Sequence, residues 1–307
     1  MSSTFLNTNK IGQRGAISNL EDNLKRFLDW SFLNVDGYVN VNIPTSGLYS
    51  NDFHKLKPVS DPSQTTKVWE SPRKDWVYET GIGSPVEISG LYLNNTFLPA
   101  PTGSGNYGYT IDYRLGRINF NRVVSSTSKV EMGYSYRYVQ TYKANESSWW
   151  KEVQQYTYSN PVKPNGDNSI TANHRMQLPS IMIETIPRNF QIPAELGSSD
   201  NHIVQDVFLH IFAENPTIRS NLVDILIQQK DNFIALHDIT KITKDDKNPL
   251  DKYGQINPNG QYYGQIYGDS NYVQNQCHIV NSTLSEMNNL SNNLFNAIVR
   301  WSLQIFK

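Results

Sequence analysis

Residues 81–142 constrain the fold of this chain more than any other stretch. Short runs alternating apolar and polar residues follow one another there, separated by Gly, Asn, Pro and Ser. Alternation at period two places successive side chains on opposite faces of a strand, and the punctuating residues supply the turns. In TIDYRLGRINFN two alternating segments flank Arg114-Leu115-Gly116, a short Gly-containing loop that predicts a hairpin. Lys129–Tyr142 reads as one strand. Val130, Met132, Tyr134, Tyr136 and Tyr138 fall on one face, and Glu131, Gly133, Ser135 and Arg137 on the other. The tyrosine row predicts a half-buried sheet face. A sugar-binding platform would want exposed Trp beside carboxylates, and the tryptophans lie elsewhere.

At 307 residues the chain exceeds one small domain. The expected class is α+β and β-rich. The division follows chain order: an arm, helix and loop region over 1–80, a β-sandwich-like module over 81–160, and over 161–307 an α/β module of mixed sheet with one or two packed helices. In the first region Ser18 predicts an N-cap with Glu21 completing a capping box. Leu20, Leu24, Phe27, Leu28 and Phe32 then recur at helical spacing. Residues 34–80 read as loop punctuated by Pro44, Pro58, Pro62 and Pro72, and SSWWKEVQQY as a short helix. PVKPNGDNS reads as the connector between modules.

Beyond it, IMIETIP, VQDVFLHIFAEN, FIALHDI, CHIVN and AIVRWSLQIF read as strands. Asn215-Pro216 opens a helix whose apolar stripe is Ile218, Leu222, Ile225 and Leu226. Residues 241–276 read as Gly-, Asn- and Tyr-rich loop, and NNLSNNLF as a turn or short helix.

Composition weighs against several chemistries. The net charge is −1 and the charges are spread evenly, with no basic run to follow a phosphate backbone. Sequence-specific nucleic-acid binding is not expected. Cys277 stands alone, so no internal disulfide or thiolate cluster forms, and it reads as a small buried residue. No apolar run reaches the length of a membrane span, and the N-terminus lacks the apolar core of a signal peptide. The histidines, at 54, 174, 202, 210, 237 and 278, show no metal-ligand spacing, and His210 in its apolar strand reads as a satisfied core residue. Asp245, Asp246 and Asp251 lack calcium-loop spacing. No nucleophile elbow or phosphate-cradling glycine loop occurs. No catalytic residue, cofactor or metal is expected.

Two regions resemble known virion proteins. ISGLYLNNTF, YTIDYRLGRINFN and VEMGYSYRYVQTY are similar to the β-modules of tailed-bacteriophage neck and tail proteins. IETIPRNFQIPAELGSS through VQDVFLHIFAENPTIRSNLVDILIQQKDNFIALHDI resembles, in its strand, strand, helix, strand order, the compact domains of head–tail connector and tail-terminator proteins. Together these cover about half of the chain. The resemblance implies a virion protein of the neck, assembled in the host cytoplasm. It implies a ring of about six or twelve copies, with portal, neck or tail proteins as partners and packaged DNA as a neighbour rather than a ligand. A tail or baseplate component is the alternative, and a carbohydrate-binding module a further one.

Eighteen Tyr among 307 residues suit wet interfaces anchored by aromatic rings. The expected interface anchors are Trp69, Trp76, Trp149, Trp150, Tyr136, Tyr138, Tyr262 and Tyr263. The expected interface elements are the 1–16 arm and the 241–276 loop.

Overall fold

A computed structural model describes residues 19–44, 52–59, 66–100, 107–144, 177–193, 201–291 and 293–306. The fold is α+β and dominated by strands. Two compact units cut across the boundaries expected at 80 and 160. One comprises Met1–Trp30, Gln140–Asp246 and Tyr263–Lys307; the other comprises Ser31–Val139 and Lys247–Tyr262. Ser18, the paired tryptophans and the PVKPNGDNS connector lie outside the described residues.

Among the described residues the second unit holds nine short strands: β1 (Tyr38–Val41), β2 (Lys55–Pro58), β3 (Val68–Glu70), β4 (Gly90–Leu93), β5 (Thr96–Pro99), β6 (Tyr109–Asp112), β7 (Arg117–Phe120), β8 (Val130–Met132) and β9 (Tyr134–Arg137). Seven form an antiparallel sheet in the order β5-β4-β8-β2-β3-β7-β6, and β1 pairs with β9 as a separate ribbon. The region read as loop therefore supplies β1, β2 and β3. The hairpin around Gly116 forms as expected, with Asp112 opposite Arg117. Gly116 has φ +64°, and a Cβ there would stand 2.4 Å from the Arg73 carbonyl.

Both sheets feed one aromatic core. Trp76 stacks on Tyr134 at 4.6 Å and meets Tyr113 edge-on. The expected single strand over Lys129–Tyr142 is instead three. Gly133 separates β8 from β9, and the chain then continues into β10 (Gln140–Lys143) of the other unit. Its polar face is not turned to solvent either, because Glu131, Ser135 and Arg137 are all buried. Each is compensated: Glu131 by Lys129 and His54, Arg137 by Glu79, and Ser135 by Asn40 and the Val86 amide. Burial without such partners would cost several kcal/mol per charge.

The first unit is built on long strands: β11 (Ser180–Pro193), β12 (Asn201–Ala213), β14 (Val273–Ser291) and β15 (Leu294–Phe306), with the shorter β13 (Phe233–His237). The sheet order is β10-β11-β12-β15-β14-β13, parallel only at β10–β11. Among the described residues its helices are α1 (Leu20–Leu33), α2 (Pro216–Ile227), α3 (Ile239–Lys244) and α4 (Tyr263–Ile266). Region 241–276 thus contains helical turns and the start of β14 rather than loop alone. NNLSNNLF, read as a turn or helix, is the end of β14, the turn and the start of β15.

Asn215 caps α2 as its sequence predicts, accepting from the Ile218 amide. The buried face of α2 is Arg219, Leu222, Val223 and Leu226, about one residue round from the expected stripe. Arg219 reaches the Asn288 carbonyl and the Asn289 side chain, which the apolar pattern does not show. The last carbonyls of α2 are met by β14 and β15: Ser282 and Trp301 both donate to Leu226 O.

Register places Thr141 and Lys143 of β10, Thr185 of β11, Val207 of β12 and Trp301 of β15 on one face. Helix α1 lies against that face and touches both edges of the sheet. Asp22 binds Lys143 at 2.6 Å, Asp29 accepts from Thr141, and Glu21, the expected capping-box residue, accepts from Thr185. At the other edge Asn23 accepts from the His237 amide at 2.8 Å and donates to its carbonyl at 3.0 Å. Six strands laid flat would hold those edges ~24 Å apart, whereas a helix is ~10 Å across. Adjacent helix residues reach both edges only because the sheet curls around α1.

Two substitutions probe these supports. Trp76→Ala should lower unfolding free energy by about 3–5 kcal/mol through the cavity it leaves. Asn23→Ala, which leaves the His237 backbone unpaired in a buried position, should cost about 1–3 kcal/mol. Denaturant titration measures both.

Candidate assembly interface

The structure disperses the expected aromatic anchors. Trp69 and Trp76 are 1% and 0% exposed, with their indole N–H groups donating to the Thr66 and Arg73 carbonyls. Tyr136 is buried beneath the Arg73 guanidinium. Tyr138 and Tyr262 are half-buried, the latter donating to Thr80 O. Tyr263 is buried between Phe27 and His237. None of these six is an exposed anchor. Trp149, Trp150 and the 1–16 arm lie outside the described residues. Within 241–276, Tyr253, Ile256 and Tyr267 are exposed.

The tyrosine row forms no platform, because Tyr134 and Tyr136 face the core. An exposed aromatic pair does exist on the β4–β5 hairpin, Tyr92 and Phe97, but its rings are tilted by 55° and present no flat face. His210 is buried and bonded to Glu184 at 2.7 Å, as a satisfied core histidine should be. Among the described residues no three His, Cys, Asp or Glu side chains converge where an ion could sit. No helix among them is long and apolar enough to cross a membrane.

What the structure does expose is an edge. Strand β14 pairs with β15 along its length, but on its other side β13 covers only Val273 to His278. One further pair of backbone bonds, between Ile279 and the Asp231–Asn232 turn, closes that contact. From Val280 to Ser291 no described strand lies alongside. An unpaired edge presents a row of N–H and C=O groups that accept another chain. Val280, Leu284, Met287 and Leu290 are 41–50% exposed along it. Glu286 is the only charged residue between 280 and 291, and no Pro interrupts the segment.

The edge has a particular shape. Register against β15 shifts between Ile279 and Asn281, Leu284 and Glu286, and Asn289 and Ser291. Val280, Ser285 and Leu290 are therefore extra residues of bulges spaced five apart. Each bulge resets the alternation, so Leu284 and Met287, three apart, stand opposite Val299 and Ala297, two apart. The period-two signal is lost for this reason, and the segment reads as a turn in the sequence. Bulges also increase twist, so a partner must follow a coiled path, which selects against indiscriminate pairing.

The titratable groups with marked shifts lie inside the cores. Burial pushes the Cys277 thiol up to about 12, and the Tyr109 and Tyr113 hydroxyls also to about 12. Burial raises Tyr134 and Tyr263 further still. His237 moves the other way, down to about 4, through burial and then the Arg26 charge; the Ile266 backbone and Asp269 only partly oppose this. Neither of its ring nitrogens makes a well-formed hydrogen bond. The neutral imidazole is thus the folded form, and unfolding restores an ordinary pKa of about 6.5.

Its contribution to stability is complete above about pH 6.5 and is lost as the pH falls towards 4, because the unfolded chain takes up the proton first. Unfolding midpoints measured from pH 7 to pH 4.5 should fall, and His237→Leu should flatten that part of the profile.

No family model matches this chain, and no curated protein matches its sequence.

Proposed function

We propose that this chain is a structural subunit of a tailed-phage virion. It assembles with copies of itself into a ring in the neck, between the capsid portal and the tail. The observation that carries the proposal is the open β14 edge. Helix α1 contacts both outer strands of the same sheet, yet on its outer side twelve residues of β14 have no described strand beside them and are nearly uncharged. Contact between an edge on one copy and a different surface on the next is heterologous, and closes into a ring when the rotation per copy allows. Strand addition supplies backbone hydrogen bonds, and the exposed Leu284, Met287 and Leu290 supply apolar area.

The rest of the molecule supports a mechanical role. The aromatic side chains and a buried ion pair stiffen the smaller unit. The marked pKa shifts move acid and base groups away from neutral pH instead of poising them near it. A near-neutral surface suits a subunit beside packaged DNA that does not grip it.

Light scattering on the purified chain, alone and mixed with neck components, tests this. A mass at a ring multiple of the 35.1 kDa chain is expected, alone or on the partner. Met287→Lys with Leu290→Lys should raise the concentration needed for assembly about tenfold or more while leaving the unfolding midpoint unchanged. A chain that stays monomeric with every neck component would sink the proposal. Recruitment by tail or baseplate proteins instead would move its station in the particle.

A further inference from the structure

We infer that the β14 edge of one copy is filled by the N-terminal segment of the neighbouring copy, with residues 3–11 added as a strand along 280–291. This deepens the ring proposal and rests on it. Three observations single out that occupant.

The first is position and reach. Eighteen residues precede Asn19, whose side chain contacts Gln274 at the start of β14. Extended, they span ~60 Å, against the ~20 Å of strand between Gln274 and Val280, so the segment can leave its own subunit and still pair over many residues.

The second is charge. Residues 1–18 carry Lys10 and Arg14 and no acidic residue, whereas Glu286 is the only charged residue of β14 between 280 and 291, and the cation beside it, Arg219, is buried on the Asn288 carbonyl and the Asn289 side chain. A second copy of β14 laid antiparallel on the first would be the simplest alternative occupant. It would carry a Glu286 of its own into the contact, and like charges across a strand pair are unfavourable.

The third is composition. Ser3–Ile11 reads STFLNTNKI, with no Pro or Gly, and as a strand it turns Phe5 and Ile11 to one face, the face to lie beside Leu284 and Met287. Gly12 and Gly15 follow, residues permissive in φ where a strand must turn into a helix. Helix α1 then anchors the segment's base, through Asn23 on β13 and Asp22 on β10. The same helix that closes one subunit's sheet would aim the chain at the next.

Crosslinking in the full-length chain tests the exchange. Cys277 is the sole cysteine and is fully buried, so introduced thiols react without background. Copies carrying Leu6→Cys are mixed with copies carrying Ser285→Cys and oxidised; Thr4→Cys and Thr8→Cys cover neighbouring registers. A disulfide-linked pair is expected only in the mixture, and a ladder of linked multimers from the Leu6→Cys/Ser285→Cys double variant. Met287→Lys with Leu290→Lys, which places charge on the apolar part of the edge, should lower the linked fraction several-fold.

Assembled rings, seen by light scattering, without any linked species would overturn the exchange and leave the ring standing. An intrachain disulfide at monomer mass would overturn it by showing that the segment fills its own subunit's edge. A chain that never assembles would overturn the exchange together with the ring.

Discussion

Two adjacent side chains on one helix hold the larger sheet in shape. Asp22 takes Lys143 on β10, and Asn23 takes both backbone groups of His237 on β13. The asymmetry between these contacts matters. The Asp22–Lys143 pair is partly exposed and contributes modestly, as such pairs do. The Asn23 amide replaces a missing strand at a buried site, so its loss strands two polar groups at once. The curl that follows lets α2 share the same face of the sheet, so that Trp301 and Ser282 can close its C-terminal end. Helix α1 reaches the outermost strands through the Thr141 and Lys143 side chains and the His237 backbone, while from Val280 to Ser291 the outer side of β14 has no described strand beside it.

The smaller unit solves a different problem. Its strands are three or four residues long, too short for ladder bonds alone to hold a sheet. Aromatic volume compensates, with Trp69, Trp76, Tyr109, Tyr113, Tyr134 and Tyr136 all inside. Each buried indole N–H finds a carbonyl within three residues along the chain, so the rings are buried without an orphaned donor. Arg73 lies over both Phe53 and Tyr136 and offers its own carbonyl to Trp76. Tryptophan content, which suggests a binding surface when seen in sequence alone, is here the means by which very short strands share one core.

Local patterns were legible where local forces decide. The hairpin at Gly116, the Asn215 cap and the alternation of Val299, Trp301, Leu303 and Ile305 all stand as the sequence implies. Long-range partners were not legible. Asp22, Asn23 and Glu21 read as ordinary residues of an amphipathic helix, since their partners lie 121, 214 and 164 residues away. The open edge was hidden for a more specific reason: bulges at Val280, Ser285 and Leu290 break the alternation, and the Asn and Ser between them imitate a turn. Pairing with β15 overrides that local preference. The Tyr134–Tyr138 row misled in the opposite sense. Its period is sound, but Gly133 and the turn at Tyr138 hand successive segments to three different sheets.

The discontinuous path of the chain has a consequence for biosynthesis. A ribosome releases α1 early, yet β13 is more than 200 residues behind it, and β15, the strand between β12 and β14, comes last. Most of the smaller unit, residues 31–139, is complete long before either. Vectorial synthesis therefore favours an order in which the aromatic core forms first and α1 waits, its apolar face uncovered, for the final strand to emerge. During that interval the nascent chain would be exposed to premature association, and a chaperone would find its binding surface on the helix that later closes the sheet.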